Sequence, residues 1–324
     1  MSILVCGGAG YIGSHVNKEL NKEGYDTVVF DSLVRGHEES VKWGFFVKGD
    51  LKNTDDLDMV FSKYSISTVV HLAGYAYVGE SYNNPEEYYC NNVANTLNLL
   101  KVMRKHNCKR IVFSSTCATY GDAERVPIDE TVEQHPISPY GASKFMVERI
   151  LKDYNKAYGF QYVILRFFNA AGADPDGEIG ESHNNETHLI PLLLEAASGQ
   201  KDSFEVYGND YVTPDGSCIR DFVHVTDLAK AHLLALRYLE SGDASNDFNL
   251  GTDSGYSVFN IVDTVKRVTN KDFCVNISKR RSGDPAILVA DSKKAMKMLG
   301  WSPSFNDITE IITHAWRWYQ NRLY

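Results

Sequence analysis

Val5-Cys6-Gly7-Gly8-Ala9-Gly10-Tyr11-Ile12-Gly13-Ser14 is the stretch whose reading decides the fold. An apolar run, Ile3-Leu4-Val5, leads straight into glycines at 7, 10 and 13, and a helical pattern follows. Glycines at this spacing allow a tight turn and a close backbone approach to a pyrophosphate. They also let the next helix pack on its strand with its N-terminal N–H groups aimed at the phosphates. Asp31 closes the next apolar run, Thr27-Val28-Val29-Phe30. A carboxylate about twenty residues past the glycines suits a ribose 2′-hydroxyl and repels a 2′-phosphate, so the expected cofactor is NAD.

Outward from this turn, the first half of the chain alternates strand-like and helix-like segments. Strands are expected at 2–6, 26–30, 45–48, 68–72, 110–115 and 161–166. They are apolar on both faces, as parallel strands covered by helices must be. Helical faces carry Val93, Leu97, Leu100 and Met103, and then Met146, Ile150 and Tyr154. The alternation predicts an α/β fold with a doubly wound, Rossmann-like parallel sheet, and a ligand at the carboxyl ends of its strands. After about residue 170 the pattern loosens. Ala171 to Glu186 reads as a long loop, of a length that is usually functional or mobile. Helices are expected at 188–198, 226–240, 257–268 and 306–320, with a strand near 204–207 and a polar turn at Gly208–Gly216. The division expected is 1–170 for the NAD-binding domain and 171–324 for a smaller mixed α/β C-terminal substrate domain, with some segments crossing back.

Bulk properties narrow the class. The chain has 324 residues, 43% of them hydrophobic, and can bury a substantial core. Its 33 basic and 42 acidic side chains leave a net charge of −9, which argues against nucleic-acid or anionic-membrane partners. Six cysteines (Cys6, Cys90, Cys108, Cys117, Cys218, Cys274) show neither C-x-x-C nor finger spacing. They read as reduced thiols of a cytoplasmic protein, with no disulfide frame and no metal site expected. The N-terminus enters a strand at once, so no signal peptide is expected, and no apolar run is long enough to span a bilayer.

Ser138-Pro139-Tyr140-Gly141-Ala142-Ser143-Lys144 carries the chemistry. Ser138 is placed as a helix N-cap with Pro139 at the first helical position, which puts Tyr140 and Lys144 one turn apart on one face. A free tyrosine, with a pKa near ~10, needs about 4 kcal/mol of phenolate stabilisation to reach neutrality. One ammonium at ~4 Å and an effective dielectric of ~20 supplies roughly that amount. The pair can therefore make a phenolate general base. The strand at 110–115 ends at the ligand face, so Thr116 can offer a hydroxyl to the substrate atom that Tyr140 addresses. The alternative reading of each is ordinary: a half-buried aromatic, a solvated lysine and a strand-end threonine.

With these motifs the chain resembles the extended short-chain dehydrogenase/reductase family, and within it the nucleotide-sugar 4-epimerases. The resemblance runs almost end to end. It covers Gly7–His15, Gly49-Asp50-Leu51, Val78-Gly79-Glu80-Ser81, Tyr88–Val93, Tyr140 with Lys144, Arg166-Phe167-Phe168-Asn169, Arg220–Val225 and Arg281-Ser282-Gly283-Asp284. It implies that Gly7, Gly10, Tyr11, Ile12, Gly13, Asp31, Asp50, Leu51, Asn91 and Lys144 serve NAD. It implies that Tyr140 takes the proton of the sugar C4 hydroxyl while C4 gives hydride to NAD, with Thr116 bonding the same oxygen. A transient 4-keto sugar then turns over, and UDP-galactose and UDP-glucose interconvert. Arg220, Arg281 and Asn169 match diphosphate-binding positions, and Asp284 matches a carboxylate on the uridine ribose. A homodimer built through residues 84–106 and 139–157 is a further implication.

Some positions depart from the family pattern. Cys6 stands in place of a threonine, Ala76 where some epimerases carry lysine, and Phe167 in place of a tyrosine. Arg35 stands near the adenine ribose, where many relatives have asparagine, and bears on the preference for NAD. Leu288 matches a position that gates the sugar C2 substituent. The alternatives left open are a UDP-xylose/UDP-arabinose 4-epimerase, activity on UDP-N-acetylhexosamines, a net reductase and a non-catalytic NAD sensor. A 4,6-dehydratase is disfavoured, because Cys117 and Ala118 follow Thr116 where an acidic pair would be required.

Overall fold

In the computed structural model, which describes residues 1–281 and 284–324, seven strands form one all-parallel sheet. Their spatial order is Asn246–Leu250, Gln161–Phe167, Arg110–Thr116, Ile66–His71, Ser2–Cys6, Thr27–Asp31 and Phe45–Lys48. Successive side chains of a strand point to opposite faces, and here the two faces feed two separate cores. Ile3, Val5, Val70, Val112, Val163 and Leu165 pack under helices Tyr11–Lys22 and Val225–Glu240. Leu4, Val28, Val69, Ile111 and Ile164 pack under helices Thr54–Lys63, Asn95–Lys105 and Pro139–Tyr158. The doubly wound sheet expected from the apolar runs is thus present. Its edge strand Phe45–Lys48 is the exception to double burial, with Phe45 59% exposed.

The chain leaves Ser2–Cys6 toward one edge and returns to its other side at Ile66–His71. This is the topological switch point, and the glycine turn sits at the carboxyl end of the strand beside it. The seventh strand was not legible in the sequence. Asn246–Leu250 pairs in parallel with Gln161–Phe167, with Asn246 opposite Val163, after a long excursion of the chain. Its five residues, Asn-Asp-Phe-Asn-Leu, carry only two apolar side chains, too few for a periodicity argument.

The rest of the C-terminal half builds a further core of its own. Helices Leu189–Ser198, Val258–Thr269 and Ile308–Asn321 bury Leu193, Ile261, Val265, Ile311 and Ile312 beside the strand pair Ser203–Tyr207 and Cys274–Ser278. Ser257 caps Val258–Thr269 in a reciprocal box with Asn260. Two small pairings link this body to the main sheet. Asn169–Ala171 runs beside Phe222–His224, and Ile219–Arg220 lies between Tyr256–Ser257 and Ile287–Leu288. Residues 172–188 form the expected long connection, without helix or strand. Among the described residues, no helix is long and apolar enough to cross a membrane.

Candidate active site

The glycine turn is shaped by sterics. Gly7 has a φ of +80°, and a Cβ there would lie 2.6 Å from the backbone nitrogen of Ala73. A Cβ on Gly13 would lie 2.0 Å from the Gly7 carbonyl oxygen. Only glycine permits the strand, the turn and the helix Tyr11–Lys22 to approach this closely. That helix starts at Gly10 without a side-chain cap, leaving its first N–H groups free for a ligand. Asp31 Oδ2 accepts the Ala9 N–H at 3.0 Å, and Oδ1 accepts that of Leu33 at 2.9 Å. The carboxylate is thereby fixed at the strand end, while burial raises its pKa.

One cleft opens over these groups. Gly7, Gly10, Tyr11, Ile12, Gly13, Asp31, Asp50, Leu51, Asn91, Tyr140 and Lys144 all line it. The structure therefore brings together every position that the resemblance connected with NAD, and adds the tyrosine. Asn91 arrives there on a short π-helical bulge, Cys90–Ala94, between helices Pro85–Tyr89 and Asn95–Lys105. The bulge also turns Asn92 inward. Its Oδ1 accepts the Tyr75 N–H at 2.8 Å, and its Nδ2 donates to Ser143 Oγ at 2.9 Å, tying the cleft wall to the helix of Tyr140.

Ser138 caps that helix, its Oγ accepting the Gly141 N–H at 3.1 Å, and Pro139 opens it. Tyr140 and Lys144 are both buried. Lys144 Nζ donates to the Ser114 carbonyl at 3.0 Å and stands 5.0 Å from the centre of the Phe113 ring. Ser114 Oγ is in turn bonded to His232 Nε2 at 2.7 Å, and His232 Nδ1 to the Leu228 carbonyl at 2.8 Å. Burial lowers Lys144 to about 8, against the charge of Glu148. Burial also pushes Tyr140 up to about 12, opposed by hydrogen bonding from Thr116. Loss of water is the largest influence on the phenol, so these side chains alone do not bring it near neutrality.

Thr116, Asn169, Arg220, Arg281 and Asp284 do not line this cleft. Thr116 ends its strand, its Oγ1 accepting the Ala118 N–H at 3.1 Å. Asn169 Nδ2 donates to the Asp221 carbonyl at 2.9 Å. Arg220 and Asp284 come together as an ion pair at 2.8 Å. Arg281 is exposed and stacks on Tyr207, 3.9 Å from the ring centre. Ser282 and Gly283, part of the quoted motif, lie outside the described residues. Leu288 is opposite Arg220 in parallel pairing and packs with Cys117, Tyr120 and Phe168.

Arg35 does line the cleft, but its charge is engaged. Its Nη2 donates to both oxygens of Glu80 at 2.9 and 2.7 Å, and its guanidinium stacks 4.2 Å from Tyr75 and 4.5 Å from Tyr77. Cys6 is buried, and burial pushes its thiol far up, so it packs as a small apolar group. Ala76 and Phe167 both face the cleft.

Sequence reasoning missed two features. His183 and His188 of the long connection line the same cleft, and only the length and polar make-up of that loop, rich in Gly, Asp, Asn and His, pointed to it. Beneath the site, Arg166 and Glu148 form a fully buried ion pair at 2.7 Å. Ser115 Oγ donates to Glu148 Oε1 at 2.5 Å, and Arg166 Nη1 reaches Tyr120 Oη at 2.9 Å and Asp247 Oδ2 at 2.8 Å.

The chain and its fold are similar to those of known proteins. A family model described as the NAD dependent epimerase/dehydratase family matches residues 3–251. The chain belongs to that family. Among its relatives are UDP-glucose 4-epimerases of Halalkalibacterium halodurans, 47% identical over 99% of this chain and 96% of the relative, and of Streptococcus mutans, 48% identical over 99% and 97%. A crystal structure of the UDP-glucose 4-epimerase of Brucella ovis in complex with NAD superposes with a TM-score of 0.95 at 48% identity, covering 97% of both chains. That of Bifidobacterium longum in complex with NAD+ and UDP gives 0.94 at 36%, covering 99% of both. The family is NAD dependent, and the residues here fit that cofactor. The glycines leave a cradle that any Cβ would fill, and Asp31 presents its carboxylate at the next strand end.

Proposed function

We propose that this chain is a 4-epimerase interconverting UDP-galactose and UDP-glucose with NAD held in the cleft. The observation that carries this reading is the burial of Tyr140 and Lys144 in the same cleft as the glycine turn and Asp31. The full-length likeness to UDP-glucose 4-epimerases supports the substrate.

Bound NAD supplies a hydride acceptor and donor whose oxidised ring adds positive charge. The backbone at Gly7, Gly10, Tyr11, Ile12 and Gly13 would receive its pyrophosphate and Asp31 its adenine ribose, with Asp50, Leu51 and Asn91 closing the walls. Tyr140 Oη removes the proton of the C4 hydroxyl, and Thr116 bonds the same oxygen. Lys144, oriented by the Ser114 carbonyl, supplies the fixed positive charge that favours phenolate. Tyr140 then returns its proton to the C4 oxygen of the turned-over 4-keto sugar, and inversion at C4 would also require that bound NAD give the hydride back to the opposite face. Arg220, Arg281 and Asn169 hold the diphosphate, and Asp284 the uridine ribose. Arg220 exchanges Asp284 for phosphate when substrate enters, a role suited to a forked guanidinium.

The domain division at 170/171 is retained in this reading, with 225–250 and 293–301 returning to the NAD-binding part. Leu97 and Met146 are 39% and 45% exposed on the helices Asn95–Lys105 and Pro139–Tyr158, which supports a homodimer through those helices. Six unpaired cysteines support a reducing, cytoplasmic setting.

The test is proton NMR of the anomeric signals of UDP-galactose incubated with purified protein and no added NAD. Conversion to a mixture with UDP-glucose is expected, and Tyr140→Phe should abolish it while the protein keeps its NAD. Exchange of UDP-xylose with UDP-arabinose in place of the hexoses would move the protein to the pentose enzymes. Failure of every UDP-sugar with NAD supplied, UDP-N-acetylglucosamine included, would overturn the reading.

A further inference from the structure

We propose that Glu181, His183, Glu186 and His188 form a structural site for one divalent transition-metal ion of the zinc class, in the wall of the cleft. All four lie on the connection between the strand Asn169–Ala171 and the helix Leu189–Ser198. One donor atom from each falls within 4.8 Å of all the others. This inference does not depend on the substrate assigned above.

The spacing of the donors decides between a hydrogen-bonded cluster and a metal shell. His183 Nδ1 lies 3.3 Å from Glu181 Oε1 and 3.5 Å from Glu186 Oε2, and His188 Nδ1 lies 3.7 Å from Glu186 Oε1. An N–H···O hydrogen bond has a length of about 2.7–3.2 Å. A tetrahedral shell with metal–ligand bonds of about 2.0–2.2 Å has edges of about 3.3–3.6 Å. The separations of His183 Nδ1 from Glu181 Oε1 and Glu186 Oε2 fall within the second range, that of His188 Nδ1 from Glu186 Oε1 is slightly longer and uses the other oxygen, and His188 Nδ1 lies closer to Glu181 Oε1. His183 Nδ1 is buried and makes no hydrogen bond, although it faces two carboxylates.

Charge and orientation point the same way. The carboxylates of Glu181 and Glu186 are each only 7% exposed, and two buried negative charges require neutralisation. Either two imidazolium protons or one divalent cation does this. Glu186 Oε1 accepts the N–H groups of Thr187 and His188 at 2.7 and 2.8 Å, which fixes the carboxylate as outer-shell bonds fix a metal ligand. Two imidazoles with two carboxylates suit zinc, cobalt or manganese better than calcium or magnesium, which prefer oxygen throughout. Four protein donors fill a tetrahedron and leave no open position, so the ion would be structural. The rings of His183 and His188 meet Tyr77 edge-on at 5.7 and 6.0 Å, so the ion would brace the wall that carries Arg35 and Tyr75. The neighbouring cluster of Asp174, Asp176 and Glu178 is already bridged by Lys18, at 2.9, 3.3 and 2.7 Å, and serves as a control.

The experiment uses tag-free, full-length protein, stripped with chelator and dialysed. Zn2+ is titrated calorimetrically, and Co2+ is added to a second sample and read by its visible absorption. One equivalent of Zn2+ per chain and a four-coordinate Co2+ spectrum are expected. His183→Gln and Glu186→Gln should each weaken binding by more than about 100-fold, beyond the loss of an outer-shell partner. Asp174→Asn should leave it unchanged. If His183→Gln does not fold, Glu181→Gln in the same titration decides. No stoichiometric binding, or binding that survives these substitutions, would overturn the proposal and assign the neutralising charge to protons.

Discussion

Acidification should unfold this protein through four buried neutral histidines. His15, His71, His224 and His232 are at most 3% exposed. Burial lowers them to about 4, 3, 3 and 4 respectively, from an ordinary value of 6.5. Below pH 6.5 the unfolded chain takes up protons that the native state refuses, so stability falls as pH falls. The slope is about 1.4 kcal/mol per pH unit for each ring. Between pH 7 and pH 5 each histidine therefore removes about 2 kcal/mol. Groups whose folded pKa is raised act in the opposite sense, Asp31, Glu130 and His188 among them, and two such groups have large shifts. Asp221, pushed up to about 6 by burial, takes a proton in the native state first. His183, raised to about 10 against the effect of burial by Glu181 and Glu186, is already protonated in the native state as its unfolded counterpart titrates. Each returns about 1 kcal/mol over the same span. The net loss is roughly 5 kcal/mol, a large part of the 5–15 kcal/mol that an ordinary domain possesses. Urea unfolding at pH 7, 6 and 5, with chelator present and NAD held constant, measures it. A stability at pH 5 within about 1 kcal/mol of that at pH 7 would refute the reasoning. The loss also reaches the active site, because His232 accepts the bond from Ser114, whose carbonyl holds Lys144.

Three further outcomes are expected. Gly13→Ala places a methyl group 2.0 Å from a backbone oxygen that cannot withdraw, so the purified variant should carry little NAD, read by the absorbance released on denaturation. Glu148→Gln removes the fully buried carboxylate of Arg166, leaving it only the partly exposed Asp247, and should cost up to about 3–5 kcal/mol in denaturant unfolding. It should also lower Lys144 further, because Glu148 is the charge that raises it; a stability unchanged within error would contradict the cost of losing the ion pair. Arg220→Ala should raise KM for UDP-galactose more than it lowers kcat, since the arginine is assigned to a diphosphate distant from C4. An unchanged KM would remove it from the substrate site.

Much of the fold and half of the site were legible because they are local. The turn at Gly7–Gly13, the cap at Ser138 and the one-turn spacing of Tyr140 and Lys144 each depend on residues within a few positions of one another. Backbone geometry alone converts such spacing into shape. The apolar runs revealed six of the seven sheet strands by the same means. Tertiary structure decided what depends on distant partners. Asn246–Leu250 is a sheet strand only because Gln161–Phe167 offers it an edge. Arg220 meets Asp284 across 64 positions, and Glu148 meets Arg166 beneath the site. The titration of Tyr140 and Lys144 belongs to this second class. Spacing predicted an ammonium that lowers a phenol, but the finished fold buries both groups, and the loss of water governs their charges. Burial is a property of the packed chain, which is why the sequence by itself determined where Tyr140 and Lys144 stand on their helix and only the tertiary structure decided their protonation.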